Sequence, residues 1–388
     1  MLKKSPILLA AAGTAAMMLA CSACSDSTNK ADAVKGYAEI VEASYADSVS
    51  TAETLNAALK ALVATPSEAN LQAAKDAWLA SREPYLQTEV YRFYEGPIDN
   101  ETDGPEGLLN AWPMDENYVD YTSDDPTAGL INDTAFEITE ANLEGANEVG
   151  GEKNIATGFH TIEFLLWGQD MSETTAGTRP YTDYVTDGTG TAANQDRRGL
   201  FLTTCGDLLV KHLQGLHTQW AADGTYRGSF EAAADDESIE KILTGMIILA
   251  GFETGGERLQ AALDSGDRED EHSCFSDNTH RDMIQDIQGI HNVYVGSYTR
   301  VDGSLVSGAS VQDVVADTDS ALADRLGTEI MAALDLANAL QIPFESEIAP
   351  GNTEGNGRVQ SLITALRTVE GTLEDVFTAM GFSVPVAE

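Results

Sequence analysis

Apolar residues recur every three to four positions through most of the chain, and no stretch of any length alternates apolar with polar residues. The first pattern predicts amphipathic helices, whereas alternation would predict strands. The sequence therefore predicts an all-α protein built from two helical bundles. The predicted helices cover residues 36–63, 67–94, 130–149, 200–222, 238–263, 276–298, 317–340 and 357–380.

One short run, from Gly158 to Gly168, places a histidine and a carboxylate inside an otherwise apolar segment. If the run is helical, His160, Glu163 and Trp167 form one stripe beside a fully apolar one. A histidine and a glutamate at i and i+3 project from neighbouring turns, so they can bind one metal ion together or hydrogen-bond each other. Spacing alone leaves two interpretations open, a metal site or a core histidine that donates its ring N–H to Glu163.

The predicted helix over 67–94 carries a core-type stripe that contains charged side chains. The stripe consists of Trp78, Arg82, Tyr85, Glu89 and either Arg92 or Phe93. Buried arginine and glutamate are unfavourable unless they are paired, so these groups either pair with each other or face a cavity that requires them. Pro84 interrupts the helix and is expected to bend it next to the stripe.

Two long polar segments, residues 96–129 and 169–199, interrupt the helical pattern. Loops of this length in compact domains are often functional. Asp99 lies at the start of the first loop and can reach back to the polar stripe of the preceding helix. We predict the boundary between an N-terminal bundle (36–190) and a C-terminal bundle (191–388) in the second loop.

The first 35 residues are typical of an exported lipoprotein. Two lysines precede an apolar, Ala-rich stretch that is too short for a permanent membrane span, and Leu-Ala-Cys ends at Cys21. We predict a signal peptide over 1–21, lipidation of Cys21, and a polar tether over 22–35. Because Ser22 stands where an Asp would favour retention at the inner membrane, the outer membrane, facing the periplasm, is the predicted location.

Two cysteines remain after such processing, Cys205 and Cys274. In an oxidising compartment a leftover pair of thiols is more often bonded than free, so we predict a disulfide. On the chain-entropy model, a loop of about 70 residues closed in this way stabilises the fold by roughly 4 kcal/mol.

The charge of the chain excludes several classes of function. With 63 acidic against 22 basic residues the net charge is −41, which disfavours nucleic acid and anionic membrane surfaces as partners. Most of these charges are expected to form a solvated surface. The sequence contains no Walker loop, Rossmann fingerprint or His-Glu-x-x-His zinc motif, so nucleotide-driven chemistry is not expected.

Three strings of this sequence resemble the imelysin-like family, also called the M75 peptidase family. The first is Gly158-x-His160-x-x-Glu163 followed by Phe-Leu-Leu-Trp-Gly, and the second is Trp78-x-x-x-Arg82-x-Pro84-Tyr85-x-x-x-Glu89-x-x-Arg92-Phe93. The third, His-Ser-Cys-Phe-Ser-Asp-Asn-Thr-His over 272–280, resembles the branch of iron-regulated proteins, as distinct from the branch named for insulin cleavage.

The resemblance implies two bundle-like halves with rough internal symmetry, a site in or between them, and an iron-related role in the periplasm. The positions that match the expected metal site are Glu89, Asp99, His160 and Glu163, with Arg82, Tyr85 and Trp167 expected around them. The residues His272, Ser273, Asp277 and His280 are secondary candidates. Their alternative interpretation is a capped helix start held by the disulfide, with Ser276 or Asp277 as the cap.

One imidazole with two or three carboxylates suits iron, and also zinc or manganese. With the iron-related role that the resemblance implies, the leading hypothesis is a lipoprotein that binds a metal ion, iron in particular, in iron uptake or homeostasis, with an envelope transport protein as a candidate partner. A metallopeptidase, in which His160 and Glu163 hold zinc, is the second hypothesis, and the lack of a second closely spaced histidine counts against it. A peptide- or protein-binding envelope lipoprotein without a metal is the third.

Overall fold

The computed structural model describes residues 22–386, which are mostly helical. The helices are α1 (Ser22–Ala64), α2 (Glu68–Leu86), α3 (Glu106–Leu109), α4 (Glu116–Val119), α5 (Glu140–Ala146), α6 (Gly158–Trp167), α7 (Gln195–Trp220), α8 (Thr225–Ala232), α9 (Asp235–Ile247), α10 (Ala261–Ser265), α11 (Thr279–Val295), α12 (Val311–Thr318), α13 (Ser320–Ala337), α14 (Phe344–Ile348) and α15 (Thr353–Met380). Short 3₁₀ turns cover Glu89–Tyr91, Tyr181–Tyr184 and Arg268–Asp270.

The only strands in the described part of the chain form one small hairpin. Strand β1 (Ser297–Thr299) pairs antiparallel with β2 (Leu305–Ser307), and Tyr298 faces Val306 in the register. The hairpin packs against α1. The predicted all-α class is thus confirmed, because each strand holds only three residues.

Helix α1 is the element around which the fold is arranged. It packs against α2, α7, α9 and α12, elements drawn from both predicted halves of the chain. Most of its buried apolar residues belong to a hydrophobic cluster that runs through nearly the whole described protein, while Ile40 and Ala43 pack with Tyr298 of the hairpin. Residues 22–35, predicted as a tether, are helical, and Ala33 and Val34 are buried. The division at residue 190 stays a prediction, since the core is continuous across it.

Helix α2 begins where the sequence indicates and ends early. The Ser67 side chain accepts a hydrogen bond from the backbone N–H of Asn70, which caps the helix. Pro84 lies in the last turn, where it removes one backbone donor, and the helix ends at Leu86 rather than at residue 94. The chain then continues through the Glu89–Tyr91 turn, so Glu89 approaches the interior from a different direction than a straight helix would give.

The predicted helix over 130–149 is mostly irregular, and only Glu140–Ala146 is helical. Side chains compete for the backbone in this segment: Asn132 donates to the Ala128 carbonyl at 2.6 Å, and Asp133 accepts from the Ala135 N–H at 2.9 Å. Such local bonds favour turns over helix, which explains the difference.

Helix α9 continues directly into a π-helical segment, Ile248–Gln260, and then into α10. Glycines in this region allow neighbouring elements to approach closely, and α15 is one of them. A Cβ on Gly251 would lie 2.1 Å from Cδ of Glu370 on α15. On the other side, a Cβ on Gly245 would lie 2.2 Å from the carbonyl oxygen of Val90. A π-helical turn frequently marks a functional site, and this one carries Arg258 into the interior.

The predicted disulfide between Cys205 and Cys274 is wrong, because both thiols are free and buried. The Cys205 Sγ donates to the Ala156 carbonyl at 3.5 Å, while Cys274 lies in the field of carboxylates, Glu163 first among them. Burial raises the pKa of both thiols well above the usual range. They act as small core residues in separate surroundings.

Two sequence predictions concern the N-terminus. The predicted signal peptide and Cys21 lie outside the described residues. Among the helices that are described, none combines the length and apolar character that crossing a membrane would require.

Candidate functional site

Helix α6 presents the His-x-x-Glu pair, and all ten of its residues are buried. It is fitted tightly at its start: Gly158 has φ of +87°, and a Cβ there would lie 2.6 Å from the Leu109 carbonyl oxygen. Gly168, at φ +72°, ends the helix. Both conformations favour glycine, which explains why the motif is bracketed by it.

His160 and Glu163 hydrogen-bond each other, as one of the two sequence interpretations requires. The distance from Nδ1 of His160 to Oε2 of Glu163 is 2.9 Å. The other oxygen of Glu163 accepts from the backbone N–H of Ser276 at 3.0 Å and from its hydroxyl at 2.7 Å. Burial raises the pKa of Glu163 to about 8, and the charge of Asp282 adds to this effect.

A second histidine completes the centre. The rings of His160 and His272 lie 4.7 Å apart, centroid to centroid, at an interplanar angle of 70°. Nδ1 of His272 lies 2.7 Å from Oδ2 of Asp282, which also accepts from the Ser273 hydroxyl at 2.5 Å. The secondary candidates His272 and Ser273 therefore belong to the centre, whereas the sequence ranked them behind Glu89 and Asp99.

Both imidazoles have the same arrangement, in which Nδ1 is held by a carboxylate and Nε2 is the remaining ring nitrogen. Nε2 of His160 is buried and has no hydrogen-bond partner among the described residues. Burial, reinforced by the positive charge nearby, lowers the pKa of both histidines well below the usual range. The rings are thus neutral at physiological pH, and a neutral imidazole can offer a lone pair to a metal ion.

Arg82 supports the second carboxylate rather than the first. Its Nη1 donates to Oδ1 of Asn110 at 2.5 Å, and its Nη2 lies 3.5 Å from Oδ2 of Asp282. The guanidinium also lies 4.9 Å from the ring centroid of Phe159. Tyr85 packs on the same ring at 4.7 Å, so it shapes the wall beside the arginine.

Glu89 is part of an ion-pair network instead of a ready metal ligand. Its Oε2 accepts from Arg92 and from Arg258, each at 2.6 Å. Burial alone would raise the pKa of Glu89, but these two arginines outweigh it and hold the pKa at about 2. Arg258 also binds Asp286 at 2.8 Å and Glu253 at 2.9 Å. Of the two alternatives that the sequence left open, pairing within the stripe holds for Glu89 and Arg92, whereas Arg82 contacts Asn110 and Asp282.

Asp99 and Trp167 lie in other surroundings than the sequence prediction gave them. The carboxylate of Asp99 accepts from the backbone N–H groups of Phe93 and Gly96, and so fixes the turn after the 3₁₀ segment. Trp167 packs against Trp78 at 5.3 Å and beneath the ammonium group of Lys75. The indole next to His160 is that of Trp112, at 4.9 Å.

His280 and Asp277 lie at the start of α11. His280 is half-buried, with an Nδ1 that has no partner among the described residues. The predicted caps, Ser276 and Asp277, are replaced by Asn278. The Ser276 hydroxyl instead donates to Glu163, and Asp277 lies close to the carboxylates of Asp170 and Glu345.

A cavity of about 420 Å³ opens beside His272. Two arginines, Arg92 and Arg258, contribute to its wall, as does Trp112. The acidic residues in the lining outnumber them: Glu106, Glu148, Glu152, Glu253 and Glu257. The field in the cavity thus favours a cation over an anion.

Sequence reasoning missed four groups that build the centre: Asp282, Asp286, Arg258 and Ser276. A signal was available for the two aspartates, because they lie at i and i+4 among Met283, Ile287 and Ile290 on the buried face of α11. Acidic residues on an apolar stripe predict buried, partnered carboxylates.

Comparisons with known proteins agree with this architecture. The family model described as Imelysin matches residues 41–373. A curated relative, iron-regulated protein A of Synechococcus elongatus, is 27% identical over 384 residues, covering 96% of this chain and 92% of that protein.

Two solved structures share the fold. The putative iron-regulated protein A precursor of Parabacteroides distasonis superposes with a TM-score of 0.68 at 20% identity, covering 90% of this chain and 95% of the other. The imelysin-like protein of Psychrobacter arcticum gives a TM-score of 0.63 at 13% identity, with 93% and 98% covered. Since the family model spans most of the chain, the protein belongs to the imelysin family.

Proposed function

We propose that the protein binds a transition-metal ion, iron in particular, at Nε2 of His160 and His272, and serves in iron uptake or homeostasis. The observation that carries this proposal is the pair of buried imidazoles, 4.7 Å apart, each held through Nδ1 by its own carboxylate. Histidine ligands of metals usually have their second nitrogen fixed in this way.

The surrounding charges support a cation. Because the rings are neutral, a metal ion does not have to displace a proton from the imidazolium form, and Glu163 and Asp282 can balance the charge of the bound ion. Imidazole nitrogens with carboxylates nearby suit iron, zinc and manganese. The names of the relatives from Synechococcus elongatus and Parabacteroides distasonis, which refer to iron regulation, favour iron.

The remaining coordination positions would be filled from the cavity beside His272. Its lining offers further carboxylates, Glu253 among them, and room for water or for a small chelator. Glu89 would act indirectly: its Oε2 accepts hydrogen bonds from Arg258 and Arg92 and holds these cavity-lining side chains in place. Asp99 is not included in the proposed ligand set, since both of its oxygens accept backbone N–H groups.

Anaerobic titration with Fe²⁺, followed by metal analysis, tests the proposal. We expect about one iron per chain in the wild type and loss of this iron in His160→Ala and His272→Ala. Asp282→Asn should weaken affinity by about 10–100-fold, because Asp282 acts through His272. The control is His217→Ala, a histidine on α7 outside the centre, which should bind like wild type. Equal amounts of bound iron in the wild type and in a variant carrying both His160→Ala and His272→Ala would exclude the site.

A metallopeptidase is the second candidate, and one observation favours it. The pKa of Glu163, about 8, lies near the value at which a general base works best at neutral pH. In that case the purified protein would cleave a mixed protein substrate, chelator would stop the cleavage, and Glu163→Gln would abolish it. Without chelator-sensitive cleavage the binding function stands alone.

We also propose that the protein is held to the bacterial outer membrane through a lipid on Cys21, facing the periplasm, where it would pass its metal to an envelope transport protein. The lipoprotein-type N-terminal sequence supports this proposal. Labelling with a fatty-acid analogue, followed by membrane fractionation, is the test. Wild type should carry the label and Cys21→Ser should not, whereas equal labelling would exclude this anchor.

A further inference from the structure

A second group of carboxylates lies apart from the histidine pair. Asp170 follows α6, Asp277 precedes α11, and Glu345 belongs to α14. One oxygen from each side chain can be chosen so that all three lie within 4.8 Å of one another. It is the only such group of three potential metal ligands in the part of the chain that the structure describes.

The carboxylates are held in a largely dry position without an adequate partner. Asp170 is 2% exposed and Glu345 is 7% exposed. Oδ2 of Asp170, Oδ1 of Asp277 and Oε1 of Glu345 are buried and form no hydrogen bond with any described residue. Buried carboxylate oxygens normally have donors, so three unpartnered oxygens within one group of neighbouring carboxylates indicate a missing positive group.

Within residues 22–386, no lysine or arginine lies within ion-pair distance of these three carboxylates. Arg268 is near enough to favour the charged forms of Asp170 and Glu345, but its Nη1 donates to the Ser172 carbonyl at 3.0 Å and its Nε lies 3.6 Å from Glu269. A fourth carboxylate, Glu271, is 1% exposed and adds to the negative field. Burial, and to a lesser extent repulsion from Glu345 and Asp170, raises the pKa of Asp277 to about 7.

We propose that Asp170, Asp277 and Glu345 bind a hard divalent cation, with Ca²⁺ as the best match. Ca²⁺ takes oxygen ligands at about 2.3–2.6 Å, so two ligands of one ion are separated by at most about 5 Å. The three oxygens lie within 4.8 Å of one another, so one Ca²⁺ can contact all of them. Mg²⁺ demands near-ideal octahedral geometry and gives up its waters reluctantly, so three carboxylates on separate elements suit Ca²⁺ better.

The position of the cluster gives the cation a structural role. Asp277 immediately follows Ser276, whose N–H and hydroxyl hold Glu163, and Asp170 lies three residues beyond α6. A cation bound there would fasten the segment that carries His272 and Ser276 to the end of α6 and to α14. It would thus rigidify the histidine centre from outside without coordinating either ring.

Calorimetric titration of the chelator-treated full chain with Ca²⁺ and Mg²⁺, together with thermal unfolding, tests the proposal. We expect one saturable Ca²⁺ site, a rise in Tm of several degrees, and a smaller response to Mg²⁺. Asp170→Asn and Glu345→Gln should weaken Ca²⁺ binding at least tenfold. In chelator, both variants should be as stable as wild type or more so, because repulsion is removed.

Two controls separate this site from other effects. Asp324→Asn and Glu374→Gln remove exposed charges of the same kind and should leave the Ca²⁺ response intact, which excludes general attraction to an acidic surface. His160→Ala should lose iron and keep the Ca²⁺ response, so failure of either site is seen independently of the other. The proposal would be overturned if the wild type showed no saturable Ca²⁺ or Mg²⁺ site, or if Asp170→Asn bound Ca²⁺ as tightly as the wild type.

Discussion

Glu163 is fully buried and accepts two hydrogen bonds from Ser276, yet it holds its proton to about pH 8. The donors favour the ionised form, whereas burial and the nearby charge of Asp282 oppose it more strongly. The folded protein thus binds this proton more tightly than the unfolded chain, whose glutamate has a pKa of about 4.3. The stabilisation is complete at low pH and is lost as the pH rises toward 8.

Glu163→Gln removes this dependence, because glutamine is neutral throughout. In chelator, we expect the stability of the variant relative to wild type to improve by up to about 1.4 kcal/mol per pH unit between pH 5 and 8. Urea unfolding at several pH values measures the difference. The Ser276→Ala variant removes one donor but leaves the carboxylate, so the contribution of Glu163 to its stability should still fall as the pH rises, as in the wild type. A stability difference between Glu163→Gln and the wild type that does not change with pH would contradict the assignment.

The histidine centre was partly predictable at the level of residues. The His160–Glu163 pair follows from helical spacing, and the 272–280 string indicated His272 and Ser273 as secondary candidates. Their convergence on Asp282 was not predictable, because Asp282 reaches the centre through packing of α11 on α2. Glu89 was assigned to the metal through the family resemblance, and its pairing with Arg258 was not predictable because Arg258 is 169 positions away.

Among the helices, α9 is placed by a glycine that admits the backbone of a neighbour, whereas Gly251 of the π-helical segment admits the Glu370 side chain. Gly245 on α9 faces the Val90 carbonyl of the 3₁₀ turn that carries Glu89. A backbone carbonyl cannot swing aside as a side chain can, so this contact fixes both elements. The same geometry connects the position of Glu89 to that of α9.

Gly245→Ala should destabilise the protein by about 1–3 kcal/mol or more, because the added methyl group overlaps the Val90 carbonyl. Gly371→Ala is the matched control: it lies in α15, where an added Cβ meets nothing within 4 Å. There the substitution should stabilise by about 0.5–1 kcal/mol through helix propensity. Denaturant unfolding compares them, and equal effects would contradict the packing argument.

The long helices were the most predictable elements. Residues 200–222 and 357–380 were expected, and the structure has Gln195–Trp220 and Thr353–Met380. The early end of α2 and the irregular 130–149 segment were not predicted, because there a proline and local side-chain bonds override periodicity. The π-helical register was beyond sequence reasoning, since it depends on how α9 meets α15.

Across the whole molecule, the net charge of −41 opposes the compact state. Repulsion of this kind is long-ranged at low ionic strength, where the Debye length is about 30 Å at 0.01 M, and is screened at 0.15 M, where it is about 8 Å. Raising NaCl over this range in the presence of chelator should therefore raise Tm. Choline chloride should act equally if screening is the cause, and Asp170→Asn should respond like wild type. A Tm independent of salt would show that the surface charges are already compensated.

Helix α1 stands near the beginning of the chain, yet its contacts reach far along the sequence. Lys30 pairs with Asp236, and Asp47 binds Arg300, 253 positions later. Closing such distant contacts is slow, because loop entropy is lost before the contacts form. The part of α1 that packs against the hairpin and α12 therefore stays uncovered until residues near 300 have been synthesised. A nascent chain shorter than this would depend on chaperones, or on remaining unfolded, to avoid aggregation.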